Sequence, residues 1–347
     1  MIKLPPPAIA FFKQNLEEIF ESGQLAEGKW NESFGKLICE YCGTQYAIPT
    51  VSNGSGITAL LQIYKRYYGR NNVLLQSNTM YGLKTMVGSA GCNLLGYVPC
   101  QLATLMPALD QVRAALREFK ESKPILILSH IGGIVNPDMP EIATLCREEG
   151  VVLVEDCAHS YGAHHDGRHS GTFGDAGVYS FYATKAIPGG EGGVVVTNNL
   201  EIGDLVKRYA IYDRFDQKMD IGVNIRPSEI QALLLYSVVK EAEEIISNKA
   251  EIAQKYIEAC SELSITFIEQ QSDKRRGNYY KFVLLSESLP ARQRFVELNT
   301  LTSAVYDYDL SGSSDEISEG HLCLPIWYDQ PEQTTDQVID ELRACCS

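Results

Sequence analysis

A lysine, an aspartate, a histidine and a serine stand at the ends of strand-like runs in the middle of this 347-residue chain. The run "GVYSFYATK" carries Ser180 and ends on Lys185 before turning into "AIPGGEGG". The run "VVLVED" delivers Asp156 to a strand's carboxyl end, and His159 follows three residues on. Upstream, "TVSNGSGITALL" places a Gly/Ser-rich turn directly before a helix, where free backbone N–H groups and the helix dipole favour an anion. Singly, each group has a plain reading: a solvated lysine, a helix N-cap aspartate, a core histidine, a strand serine. Together and in this order they suit pyridoxal phosphate. That cofactor needs an amine for a Schiff base, a carboxylate to keep its pyridine nitrogen protonated, and a phosphate cradle. The lysine, once displaced by a substrate amine, could then move a proton as general acid and base.

These groups need a scaffold, and the flanking pattern supplies one. From about residue 36 to 200, helical segments ("ITALLQIYKRYYG", "GLKTMVGSAG", "PEIATLCREEG") alternate with short apolar runs ("NVLLQ", "PILILSH", "VVLVED"). Continuous apolar runs between helices predict a parallel sheet buried on both faces, with ligands outside the carboxyl ends of its strands. "NIRPSEIQALLLYSVVKEAEEIISNKAEIAQKY" reads as one long helix opened by Pro227, with Ser228 and Gln231 in capping-box spacing and an apolar face of Ile230, Leu233, Leu234 and Val238. "NYYKFVLLSE" reads as a strand and "QPEQTTDQVIDELRACC" as a terminal helix, with "YDYDLSGSSDEISEG" a polar surface loop before it. The expectation is an α/β protein: a large domain over residues 1–245 with a mostly parallel central sheet flanked by helices, and a smaller C-terminal α+β domain over 246–347.

A formal net charge of −14 argues against nucleic acid or an anionic membrane as partner, though not against a small anion in a pocket. The start, "MIKLPPPAIAFFKQNLEEIF", lacks the apolar core of a signal peptide, and no apolar run reaches membrane-spanning length. A cytoplasmic location is expected, with the ten cysteines reduced. Cys39 and Cys42 form a CxxC in a helical stretch, but no second pair completes a metal set, so they read as structural thiols. His130, in "SHIGGIVNP", reads as structural, and His164, His165 and His169 as surface residues of a turn region; no metal is expected.

The block "VEDCAHSYGAHHDGRHSGTFGDAGVYSFYATKAIPGGEGGVVVTNN" resembles the core of the DegT/StrS-type sugar aminotransferases, within the fold type I pyridoxal-phosphate enzymes. It is similar to that family's E-D-x-A-[QH] segment, F-G-D turn, S-F-x-x-x-K and G-E-G-G. "SGQLAEGKW", "SGITAL", "GVNIRPSEIQALL" and "LCLPIW" resemble flanking motifs of the family in the same order. The resemblance implies that Lys185 carries the cofactor, Asp156 pairs with the pyridine nitrogen and His159 lies near the ring face or its hydroxyl. Ser180 and the turn at Gly56, Ile57 and Thr58 would hold the phosphate. Asn224 would reach the neighbouring subunit's cofactor, which implies a homodimer with shared active sites. The activity implied is transfer of an amino group from glutamate to a keto-sugar, usually nucleotide-linked, for amino-sugar or surface-polysaccharide synthesis.

Three departures stand out. Ile57 occupies the place of a threonine in the family's S-G-T, with Thr58 beside it. Where the family stacks an aromatic residue on the pyridine ring, an ungapped register puts Met80, with Tyr81 adjacent; either Tyr81 stacks, or the ring packs on the thioether. The family's H-Y-x-P-x-H segment has no clear counterpart, and "LTSAVYDYDLSGSSDEISEGHLCLP" stands in its place, which points to an unusual acceptor. Two other readings are a related sugar dehydratase, in which histidine typically replaces the lysine, and a catalytically silent cofactor-binding regulator. Lys185 argues against the first, and Lys185, Asp156 and Ser180 together against the second.

Overall fold

The computed structural model describes residues 2–212, 218–287, 290–300, 302–312 and 315–346. Helices α1 (Pro6–Ser22) and α2 (Lys29–Cys42) precede the edge strand β1 (Tyr46–Thr50). There follow α3 (Asn53–Tyr68), β2 (Asn72–Gln76), α4 (Tyr81–Ser89), β3 (Asn93–Val98), α5 (Leu109–Glu118), β4 (Ile125–Ser129), α6 (Met139–Glu148) and β5 (Val152–Cys157). The short strands β6 (His164–His165) and β7 (Arg168–His169) lead to β8 (Ala176–Ser180), β9 (Gly193–Thr197) and α7 (Leu200–Ile211).

The large sheet has seven strands in the order β1-β9-β8-β5-β4-β2-β3. The pairs from β3 across to β8 are parallel, and β9 runs antiparallel to both of its neighbours. Strand β4 shows why the sheet is buried on both faces: Ile125 and Ile127 join one core cluster, while Leu126 and Leu128 join another against α5 and α6. Chain order reverses direction between β2 and β4, the place where doubly wound sheets bind ligands at strand carboxyl ends.

The helix expected as one piece is two, α8 (Glu229–Val239) and α9 (Ala242–Glu262). At the break Glu241 N–H bonds to Val238 O, a tightened turn that interrupts the α-helical ladder. Only half of the expected capping box forms. Ser228 Oγ accepts from Gln231 N–H at 3.2 Å, but the Gln231 side chain reaches away to the carbonyls of Gly189 and Glu191, pinning the "GGEGG" loop to α8. Nor is α8 apolar on one face only; Leu233 and Leu235, on different sides, are both buried, because α8 lies between α1, α2 and the sheet cluster.

Along α9 the packing partners change. Ala242, Ile245 and Ile246 join the cluster around Phe34, Tyr179 and Phe181. Ile252, Ala253, Tyr256 and Cys260 pack with β11 (Phe282–Leu285), β12 (His321–Leu324) and α12 (Glu332–Cys345). Between them the short elements β10 (Arg275–Arg276), α10 (Ala291–Arg294) and α11 (Glu316–Glu319) complete the chain. The stretch expected to be a surface loop does not stay at the surface: Leu310 N–H bonds to Ser77 O beyond β2, and Tyr306 and Tyr308 are half-buried. Residues 313 and 314 of that stretch lie outside the described residues. Among the described residues no helix is long and apolar enough to cross a membrane.

Candidate active site

Asp156, at the carboxyl end of β5, is the best-held group at the switch point. Its Oδ1 accepts from Asn53 Nδ2 at 3.0 Å and from Ala158 N–H at 3.1 Å, and its Oδ2 from Ser129 Oγ at 2.9 Å. Ser129 Oγ in turn lies 2.7 Å from Thr79 Oγ1, so one hydrogen-bonded chain spans the ends of β2, β4 and β5. A carboxylate has about four acceptor positions. Three are filled by the protein, which leaves one on Oδ2 for an outside donor.

His159 is buried and packs on the ring of Tyr280 at a centroid distance of 4.3 Å and a tilt of 31°, and its Nε2 lies 3.4 Å from the Tyr306 hydroxyl. Its Nδ1 has no partner among the described residues. Burial, with Lys185 and Lys281 nearby, pushes its pKa well below the usual value, so the ring is neutral at pH 7. The Tyr306 hydroxyl is pushed well up, first by burial and then by the charge of Asp156, and keeps its proton. Asn278, fully buried, donates to the carbonyls of His159 and Tyr161 and ties this segment to the chain entering β11.

Lys185 lies half-buried in the loop between β8 and β9, with its N–H bonded to Tyr182 O and its Nζ 5.3 Å from the centre of the Tyr280 ring. Burial lowers its pKa and Lys281 adds to this, while Asp156 opposes. A larger neutral fraction makes the amine a better nucleophile. Ser180 Oγ accepts from Tyr182 N–H at 3.3 Å, and among the described residues no acceptor takes its own proton.

Helix α3 begins earlier than the sequence reading placed the phosphate turn. Ser52 is the N-cap, and Ser52 and Ser55 cap each other reciprocally. Asn53, Gly54 and Ser55 therefore hold the first-turn N–H groups. Gly56 N–H is already bonded to Ser52 O, and the Ile57 side chain is fully buried in the core. Gly56, Ile57 and Thr58 therefore lie deeper in α3 than its free N–H groups, and the Ser55 hydroxyl just before them donates to Ser52 O at 2.8 Å. Gly193 lets this end of α3 sit against β9: a Cβ there would lie 2.4 Å from Ser52 C and 2.5 Å from Asn53 N.

Met80 caps α4 and Tyr81 is its first residue; both are exposed, at 40% and 56%, and Tyr81 N–H donates to the Tyr308 hydroxyl. Asn224 is exposed, near the point where Ile225 O accepts from Val51 N–H just before α3. The sequence reading missed Asn53, Ser129, Tyr280, Tyr306 and Lys281. Asn53 and Ser129 sit inside stretches it singled out, the turn before α3 and the end of β4; the others come from distant chain and carry no local signal.

The remaining candidates are structural. His130 Nδ1 accepts from Asn136 N–H, so Nε2 carries the proton toward Glu155 at 2.8 Å. Glu155 also accepts from the N–H groups of Gly171, Phe173 and Gly174, fixing the F-G-D turn to β5. Cys157 completes a His130, Glu155, Cys157 cluster, but every ligand position of the other two is already committed, and burial pushes the Cys157 thiol well up. Cys42 is buried and pushed up to about 12, as a structural thiol should be. His165 is buried, against the expectation of a surface residue, because β6 pairs with both β7 and β10. A separate cleft between α2, β1 and α7 contains none of these groups.

A model of the DegT/DnrJ/EryC1/StrS aminotransferase family matches residues 8–306. The chain is 26% identical to a dTDP-3-amino-3,4,6-trideoxy-alpha-D-glucose transaminase of Micromonospora megalomicea subsp. nigra, over 94% of this chain and 92% of that protein. It is 25% identical to a GDP-perosamine synthase of Escherichia coli O157:H7, over 81% of this chain and 76% of the other. The fold matches a DegT DnrJ EryC1 StrS aminotransferase from Brucella abortus with a TM-score of 0.86 at 21% identity, covering 98% of this chain and 96% of that one. The family model spans every group gathered around Asp156, from the start of α3 to Tyr306, and the chain belongs to the DegT/DnrJ/EryC1/StrS aminotransferase family.

Proposed function

We propose that the protein is a pyridoxal-phosphate-dependent aminotransferase that passes an amino group from glutamate to a nucleotide-linked keto-sugar, in the cytoplasm, for amino-sugar synthesis. The observation that carries this is the Asp156 carboxylate, locked by Asn53, Ser129 and Ala158 with one acceptor position open, beside a lysine of lowered pKa. The residues fit the cofactor, and the partnerless buried Nδ1 of His159 is a polar atom awaiting a donor or acceptor. When bound, the cofactor supplies an electron sink for the charge left at the substrate carbon.

Asp156 would accept the pyridine N–H. The free first-turn N–H groups of Asn53 and Gly54, with the Ser180 hydroxyl, would hold the phosphate. His159 would contact the ring or its hydroxyl, and Met80 or Tyr81 would cover a ring face. Lys185 would carry the cofactor, then take a proton from the substrate carbon and return it. Asn224, exposed in the single chain, would reach the cofactor phosphate of a second copy in a homodimer. The nucleotide-linked acceptor rests on the names of the two curated relatives, whose sugars carry dTDP or GDP.

The test is the visible absorbance of purified protein supplied with pyridoxal phosphate. A lysine-bound band that glutamate discharges, with 2-oxoglutarate formed, is expected, and Lys185→Ala should abolish both. A wild-type protein that takes up no cofactor, or an unchanged band in Lys185→Ala, refutes the reading.

A further inference from the structure

Lys281, close to this site, and the buried Lys249 have no acidic partner among the described residues. Lys281, half-buried at the entry to β11, holds its Nζ 5.3 Å from the centre of the Tyr280 ring. Lys185 Nζ lies at the same distance from that ring, so the two amines are at most twice that distance apart. The same ring packs on His159. Lys249, on α9, is only 3% exposed, and neither it nor Lys281 has a carboxylate within ion-pair distance among the described residues. The charge of Lys281 lowers the pKa of Lys185, His159 and Lys249.

Two lysine amines facing one ring, Lys185 and Lys281, with a third buried at Lys249, are costly to hold charged. Asp156 offsets part of this at Lys185, but it forms no ion pair with Lys281 or Lys249. Such an arrangement gains when an anion enters.

We propose that Lys281 forms an anion subsite beside Lys185 that takes a carboxylate or phosphate group of the substrate. This rests on the aminotransferase reading above and adds to it a residue that selects acidic substrates. The cofactor's own phosphate already has the start of α3 and Ser180. Lys281 comes instead from the chain entering β11, next to Tyr280, whose ring packs on His159.

The test compares the full-length wild type with K281M and K281R, loaded with pyridoxal phosphate. Discharge of the visible band is followed against L-glutamate concentration, and inhibition of that discharge against uridine diphosphate. Loss of one charge-assisted contact should weaken one of the two about ten-fold in K281M while the limiting rate stays within about two-fold, and K281R should recover most of it. Weaker glutamate assigns the subsite to the donor's carboxylate; weaker inhibition assigns it to a diphosphate. Both unchanged, or a change confined to cofactor affinity, overturns the proposal. If the wild type takes up no cofactor, the aminotransferase reading fails separately. Calorimetric titration of inorganic pyrophosphate into the cofactor-free protein then decides: binding about five-fold weaker in K281M keeps the subsite, and equal binding overturns it.

Discussion

Replacing Lys249 with methionine should make this protein more stable, and the gain should depend on pH in a stated direction. Lys249 is 3% exposed, and burial, with Lys281 adding, pushes its pKa from 10.5 down to about 7. The unfolded chain keeps the usual value. Between about pH 7 and 10.5 the unfolded chain therefore binds more protons at this site than the folded one, and the wild type gains stability as pH rises through that window. Below about 7 both states are protonated and the penalty is constant. The shift corresponds to about 4–5 kcal/mol at pH 7. Methionine keeps the stem of the side chain but refills the site imperfectly, so the expected net gain at pH 7 is about 2–4 kcal/mol. By pH 10 it should shrink to within about 1 kcal/mol, as the wild-type penalty fades. Urea unfolding of the cofactor-free proteins at both pH values measures it. A variant no more stable than wild type at pH 7, with the same difference at pH 10, would show that the Lys249 amine is not held unpaired.

Asn53→Ala removes two buried hydrogen bonds, to Asp156 and to Val178 O, and should cost about 2–4 kcal/mol in urea unfolding and about ten-fold in turnover; a change under about 0.5 kcal/mol would mean the contact is not maintained. Gly193→Ala forces a Cβ into the backbone of Ser52 and Asn53, and should weaken cofactor uptake, measured by absorbance titration, more than a Gly190→Ala control, whose Cβ position is clear of neighbours although its φ of 84° carries its own strain. Glu155→Gln presents an amide N–H₂ to an array made only of donors, from His130 and three backbone N–H groups, and should destabilise by about 3–5 kcal/mol in the same unfolding assay.

The fold was legible in the sequence because its signals are local. Apolar runs such as "VVLVED" between amphipathic helices can hardly be anything but strands of a doubly covered sheet, and β4 and β5 are buried as that pattern requires. Lys185, Asp156 and Ser180 were legible because they occupy the ends of those runs. Boundaries set by a few hydrogen bonds were not. The start of α3 depends on a Ser52–Ser55 capping pair that the S-G-T pattern does not reveal, which is why the sequence alone points to Gly56, Ile57 and Thr58. The break at Glu241 follows no proline or glycine.

Tertiary structure alone decided what surrounds the lysine and the aspartate. Asn53 meets Asp156 across 103 positions of chain and Tyr306 meets His159 across 147, and no periodicity encodes contacts of that range. The same is true of the lysines. In the sequence Lys249 and Lys281 are an ordinary helix lysine and an ordinary strand-end lysine; only burial without a carboxylate, a property of the packed chain, lowers the pKa of Lys249 and makes Lys281 a candidate for binding an anion.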